Sequence, residues 1–141
     1  MKKRAIVQQT RPRLTLWSDA NFSGNSLRFR GDLGVRNLIT FGFNDVLSSL
    51  QLEGGPQNTL VLFEDVNYQG RRKVYRGPVN VSFLSDFNDV ASSFIISRRR
   101  LSNDEIRRIQ RRGRAPGNFA EILKRTKMKK MTKSFRPKKR K

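Results

Sequence analysis

A seven-residue string, Phe43-Asn44-Asp45-Val46-Leu47-Ser48-Ser49, returns as Phe87-Asn88-Asp89-Val90-Ala91-Ser92-Ser93, differing only at Leu47 against Ala91. An internal repeat constrains a fold more tightly than any local propensity, because the same unit must be built twice and packed on itself. Each copy gathers an acid, an amide and two hydroxyls. Those are hard oxygen donors, which suit calcium better than a soft metal or a covalent mechanism. The same residue types are also ordinary turn formers that bond to nearby backbone without any metal.

The repeat extends upstream. Trp17-Ser18-Asp19-Ala20-Asn21-Phe22-Ser23-Gly24 and Phe63-Glu64-Asp65-Val66-Asn67-Tyr68-Gln69-Gly70 both read aromatic, four residues, aromatic, one residue, glycine. The whole unit covers about 14–52 and again about 59–97. Leu14-Thr15-Leu16-Trp17 and Leu60-Val61-Leu62-Phe63 are β-prone runs. Residues 26–30 and 72–76 alternate apolar and polar, as a half-buried strand does. Residues 49–52 and 93–96 close each unit. Gly24 and Gly70 stand where the chain folds back, and Gly54-Gly55-Pro56 separates the units. Neither unit can bury a core alone. Two of them face to face predict an antiparallel β-sandwich with Greek-key connections.

With these residues in place, the chain resembles the βγ-crystallins, and among them the calcium-binding microbial single domains. Trp17/Phe22/Gly24 and Phe63/Tyr68/Gly70 match the family's Greek-key signature. Asn44-Asp45-Val46-Leu47-Ser48-Ser49 and Asn88-Asp89-Val90-Ala91-Ser92-Ser93 match its calcium signature. The resemblance covers about 14–97. It implies an all-β, βγ-crystallin-like Greek-key sandwich of two four-stranded motifs (14–52 and 59–97). It also implies two Ca²⁺ ions per domain, each taking ligands from both repeats. Carried over by position, Ser48 and Ser92 give hydroxyls, Asp45 and Asp89 give side-chain oxygens, and Val46 and Val90 give loop carbonyls. Ser18 and Glu64 give hairpin carbonyls. Asn44, Asn88, Ser49 and Ser93 brace the loops, and water completes each shell.

The chain has no cysteine and no histidine, which removes disulfides, zinc fingers, thiol nucleophiles and histidine bases. No phosphate-binding glycine loop or paired-carboxylate arrangement stands out, so no enzyme is expected. No apolar run has membrane-spanning length. No hydrophobic stretch follows Met1-Lys2-Lys3-Arg4, so no signal peptide is expected, and the cytoplasm is the default location.

The formal net charge of +20 sits in the ends. An N-terminal arm, 1–13, carries five basic and no acidic residues, whereas 14–96 carry seven basic and eight acidic ones. The C-terminal tail, 98–141, carries nineteen basic and three acidic residues. Ser102 and Glu105 read as a capping box opening a basic helix over 104–112, ended by Gly113. Asn118 reads as the cap of a second helix over 119–131, and the end reads as disordered. Arg98, Arg99, Arg100, Arg107, Arg108, Arg111, Arg112, Lys129, Lys130, Lys138, Lys139, Arg140 and Lys141 are the candidate polyanion-binding residues. Nucleic acid, a cell-wall polymer or an anionic lipid surface would each satisfy them. Sequence-specific base reading is not expected. Two readings follow: a calcium-binding structural module tethered by its tail, or a non-sequence-specific nucleic-acid binder that uses the sandwich as a scaffold.

Overall fold

The computed structural model describes residues 11–43, 46–85, 87 and 89–122. The first repeat forms β1 (Arg13–Asp19), β2 (Ser23–Arg30), β3 (Leu33–Val35) and β4 (Ser49–Glu53). The second forms β5 (Thr59–Asp65), β6 (Gln69–Arg76), β7 (Val79–Val81) and β8 (Ser93–Ser97). A helix, α1 (Asn103–Arg112), and a last strand, β9 (Ala120–Ile122), follow.

Two sheets result, ordered β2-β1-β4-β7 and β9-β3-β8-β5-β6. Each repeat lends its third strand to the other's sheet. β3 pairs antiparallel with β8, and β7 pairs antiparallel with β4. This exchange is what makes the repeats inseparable and gives the sandwich its Greek-key topology.

The inner faces supply the main core. Leu14, Leu16, Leu50 and Leu52 from one sheet meet Leu60, Leu62, Phe94 and Ile96 from the other, all at 1 % exposure or less. The outer faces differ. On the four-stranded sheet the outward pair opposite one another is Thr15 and Gln51. At the equivalent place on the five-stranded sheet stand Val61 and Ile95. That apolar outer face is buried in a second core with Phe63, Tyr68, Leu101, Ile106, Ile109, Ala115 and Phe119. Fully burying one such isoleucine is worth about 1.5–3 kcal/mol. The chain beyond Ser97 therefore completes the fold.

α1 begins as its residues dictate. The Ser102 hydroxyl accepts from the Glu105 N–H at 3.1 Å, and the Glu105 carboxylate accepts from the Ser102 N–H at 3.0 Å. Those reciprocal bonds satisfy two backbone donors the first turn leaves free, and they hold Glu105 below the usual carboxylate range despite partial burial. Gly113 closes the helix at φ +69°. Ile106 and Ile109 turn inward, while Arg107, Arg108, Arg111 and Arg112 stay exposed.

The expected second helix is corrected over its described part. Residues 120–122 form β9, parallel to β3, with Glu121 opposite Gly34; residues 123–131 lie outside the described set. The edge of β3 decides this. Its flanking groups are satisfied when the Arg36 N–H donates to the Ile122 carbonyl and the Ala120 N–H donates to the Asp32 carbonyl, each at 3.1 Å. Gly34 permits the approach: a Cβ there would lie 2.5 Å from the Tyr68 hydroxyl and 2.8 Å from Ile95 Cδ1.

Candidate functional site

Both hairpin corners carry two successive left-handed residues, Asn21 and Phe22 in one and Asn67 and Tyr68 in the other, with φ between 56° and 63°. Such backbone costs about 1–2 kcal/mol per non-glycine residue. One serine offsets it in each repeat. The Ser49 hydroxyl accepts from the Phe22 N–H at 3.0 Å and donates to the Asp19 carbonyl at 2.6 Å. The Ser93 hydroxyl accepts from the Tyr68 N–H at 2.9 Å and donates to the Asp65 carbonyl at 2.6 Å. The closing strand thereby pins the bend of its own repeat.

The preceding serines sit at the crossing between repeats. Ser48 N–H donates to the Trp17 carbonyl at 3.0 Å and Ser92 N–H donates to the Phe63 carbonyl at 2.9 Å. Their own carbonyls accept from the opposite repeat, from Leu84 N–H at 2.9 Å and Leu38 N–H at 2.8 Å respectively. The Ser48 hydroxyl donates toward the Val46 carbonyl at 3.2 Å and Asp89 Oδ1 at 3.4 Å. Asp89 is held there by its N–H on the Leu47 carbonyl, at 3.0 Å, with φ at 59°. A hydroxyl and a carbonyl of the first loop thus meet a carboxylate of the second. Ser48 and Ser92 are buried, Val46 and Val90 are half-buried, and Asp89 faces solvent. Asn44, Asp45 and Asn88 lie outside the described residues.

The hairpins beside these loops are not alike. The Ser18 hydroxyl accepts from the Asn25 N–H at 2.9 Å, a neutral contact. The Glu64 carboxylate accepts from the Arg71 N–H at 3.4 Å and the Arg71 guanidinium at 3.3 Å. Arg71 holds that carboxyl below its usual range. Its guanidinium also lies 5.2 Å from the Phe87 ring centre. Among the described residues no group of three or more His, Cys, Asp or Glu converges. A cation at the Ser48 crossing would meet one carboxylate, Asp89, beside hydroxyl and carbonyl oxygens.

A second polar centre was not foreseen from sequence. Glu121 accepts from the Tyr68 hydroxyl and from the Ala115 N–H, both at 2.7 Å, and from Arg36 Nε at 3.1 Å. Burial raises its pKa, but those three donors outweigh it and hold Glu121 below the usual carboxylate range. The same burial, with the charge of Glu121, pushes Tyr68 far up. One carboxylate therefore ties β9, the turn after α1, β3 and the second hairpin corner together.

Of the basic candidates, Arg98 faces Asp32 at 3.5 Å, Arg99 reaches Glu105 at 2.7 Å, and Arg107 pairs with Asp104. Arg100, Arg108, Arg111 and Arg112 are exposed. Arg114, which sequence reading passed over, follows the left-handed Gly113 and lines one space with Arg108 and Arg112 of α1. Lys129, Lys130, Lys138, Lys139, Arg140 and Lys141 lie outside the described residues.

No family model matches the chain. A 95-residue stretch, 66% of the chain, is 34% identical to an epidermal differentiation-specific protein of Cynops pyrrhogaster, and spans 26% of that protein's length. A domain solved in work on the evolution of the eye-lens βγ-crystallin fold aligns at a TM-score of 0.54 and 28% identity, covering 60% of this chain and 84% of that one. A doubly substituted βγ-crystallin domain from Clostridium beijerinckii aligns at 0.51 and 27%, covering 61% and 97%. Exchanged third strands and duplicated hairpin corners define the class, a two-motif Greek-key sandwich. The chain carries a βγ-crystallin domain.

Proposed function

We propose that this domain is a calcium-binding structural module of the microbial βγ-crystallin type, without catalytic activity, whose basic C-terminal segment carries it to an anionic polymer. The observation that supports the metal reading most directly is the meeting of Ser48 Oγ with Asp89 Oδ1 at 3.4 Å and the Val46 carbonyl at 3.2 Å. All three atoms are hard oxygens, drawn from both repeats, which suits calcium. Ser48, Val46, Asp89 and the Ser18 carbonyl would hold one ion; Ser92, Val90, Asp45 and the Glu64 carbonyl would hold the other. A bound ion supplies an electrostatic cross-link between the loops. The hydroxyls of Ser49 and Ser93 meanwhile keep the hairpin corners in register. With few charged ligands per ion, affinity is expected on the order of micromolar.

Calorimetry on the full chain tests this. Calcium at about 100 times its dissociation constant should add about 2.7 kcal/mol of stability for each occupied site. A chain carrying Ser48→Arg and Ser92→Arg should lose that gain while keeping the fold. An unchanged melting temperature in millimolar calcium, with no heat of binding, would sink the reading.

The second reading, a non-sequence-specific nucleic-acid binder with the sandwich as scaffold, is favoured by the exposed arginines of α1. Cutting the chain after Ser97 is a poor test of it, because that would uncover Val61, Phe63 and Ile95. Charge substitution leaves the second core intact.

A further inference from the structure

The docked helix arranges its arginines around a groove. Arg99, Arg108, Arg112 and Arg114 surround a space of about 130 Å³ floored by Ile109 and Pro116. Among the described residues Glu105 is the single acid lining it, and it is already bonded to Arg99 and Ser102. Among the described residues no ion pair engages Arg108, Arg111, Arg112 or Arg114. All eight cationic residues between Arg98 and Ile122 are arginine, whereas lysine predominates from Lys124 onward. Arginine presents a planar fork that matches phosphate oxygens in pairs; lysine is a point charge.

We propose that this groove is a built site for the phosphodiester backbone of double-stranded nucleic acid. The inference rests on the polyanion reading of the C-terminal segment and narrows it to one ligand and one place. Two observations select the ligand. A membrane-surface helix needs a free apolar face to enter the headgroup region, and α1 has spent its apolar face, Ile106 and Ile109, against the sandwich. Binding of single strands relies on aromatic platforms for the bases, and among the described residues no aromatic side chain lines this groove. What remains is an arginine rim on a rigid support, suited to the regularly spaced phosphates of a duplex and indifferent to base sequence.

The experiment uses the full chain and a fluorescent DNA duplex of about 20 base pairs, read by anisotropy against salt. The groove variant is Arg108→Gln, Arg112→Gln and Arg114→Gln together. A charge-matched comparison is Lys129→Gln, Lys130→Gln and Lys138→Gln. The groove variant should bind at least about tenfold more weakly than the lysine variant, with a salt slope shallower by about 2–3. A third variant, Arg108→Lys, Arg112→Lys and Arg114→Lys, should recover only part of the loss. Equal losses in the first two variants would overturn the groove and leave diffuse attraction. Full recovery by lysine, or tighter binding to phosphatidylserine vesicles than to duplex, would also overturn it. If the unaltered chain does not retain the duplex at all, the polyanion reading falls with it.

Discussion

The two sheets are built from the same repeated unit, yet among the described residues one is covered on both sides and the other on only one. Thr15 opposite Gln51 leaves the four-stranded sheet with a polar outer face, where Trp17 Nε1 donates to Gln51 Oε1 at 3.3 Å. Val61 opposite Ile95 gives the five-stranded sheet a second apolar face, which α1 covers. At the hairpin corners, Phe22 has no polar atom on its ring, whereas Tyr68 offers the hydroxyl that Glu121 takes. A duplicated fold can thus take on a specific extension through a handful of positions in one copy, with the shared framework unchanged.

The strongest way to break this comparison is to truncate equivalent side chains. Ile95→Ala should cost about 2–5 kcal/mol by leaving a cavity under α1. Gln51→Ala, at the matching place on the open sheet, should cost no more than about 1 kcal/mol, one part-buried hydrogen bond. Similar losses in a denaturant titration would mean that the outer face of the five-stranded sheet is not a core.

Glu121 sharpens it next. Glu121→Gln should cost about 1–3 kcal/mol, because three donors lose their anionic acceptor. The folded pKa of Glu121 is lowered, so its contribution is present above the ordinary glutamate value of 4.5 and lost as pH falls through the folded value. The gap in melting temperature between the native chain and the variant should therefore close on acidification. A gap that persists there would refute the ionic role.

The smallest effect concerns the helix start. Ser102→Ala should remove about 1 kcal/mol. Amide exchange should rise within α1, while the fluorescence of Trp17, the chain's single tryptophan and a reporter on the open sheet, stays unchanged. A shifted Trp17 signal would couple the two faces more tightly than their contacts suggest.

Much of this was legible in the residues. The duplicated aromatic and glycine positions gave both hairpins, and Ser102, Glu105 and Gly113 bounded α1 correctly within a residue. The third strands were not legible, because Leu33–Val35 and Val79–Val81 are three residues each and carry no measurable period. Residues 119, 122 and 123 share a helical face, so Phe119, Ile122 and Leu123 read as helix; only the waiting edge of β3 makes 120–122 a strand. Leu60-Val61-Leu62-Phe63 and Phe94-Ile95-Ile96 are unbroken apolar runs, where Leu14-Thr15-Leu16 and Leu50-Gln51-Leu52 alternate. A run buried on both faces announces a covering layer. The asymmetry of the hairpins beside the candidate metal loops was not legible, since nothing local says that Arg71 will close on Glu64.

The parallel seam between β9 and β3 has a further consequence. It occupies hydrogen-bonding positions that a bare sandwich would leave as an open ladder at the rim of its larger sheet. A proteolytic nick in the arginine-rich stretch between Arg98 and Arg114 that released this strip would do more than discard charge. It would present a raw border, with a greasy flank beside it, to the next molecule with the same wound. Clipped material should therefore accumulate as pairs and clumps, and how cleanly the protein ages would be governed by a strand three residues long.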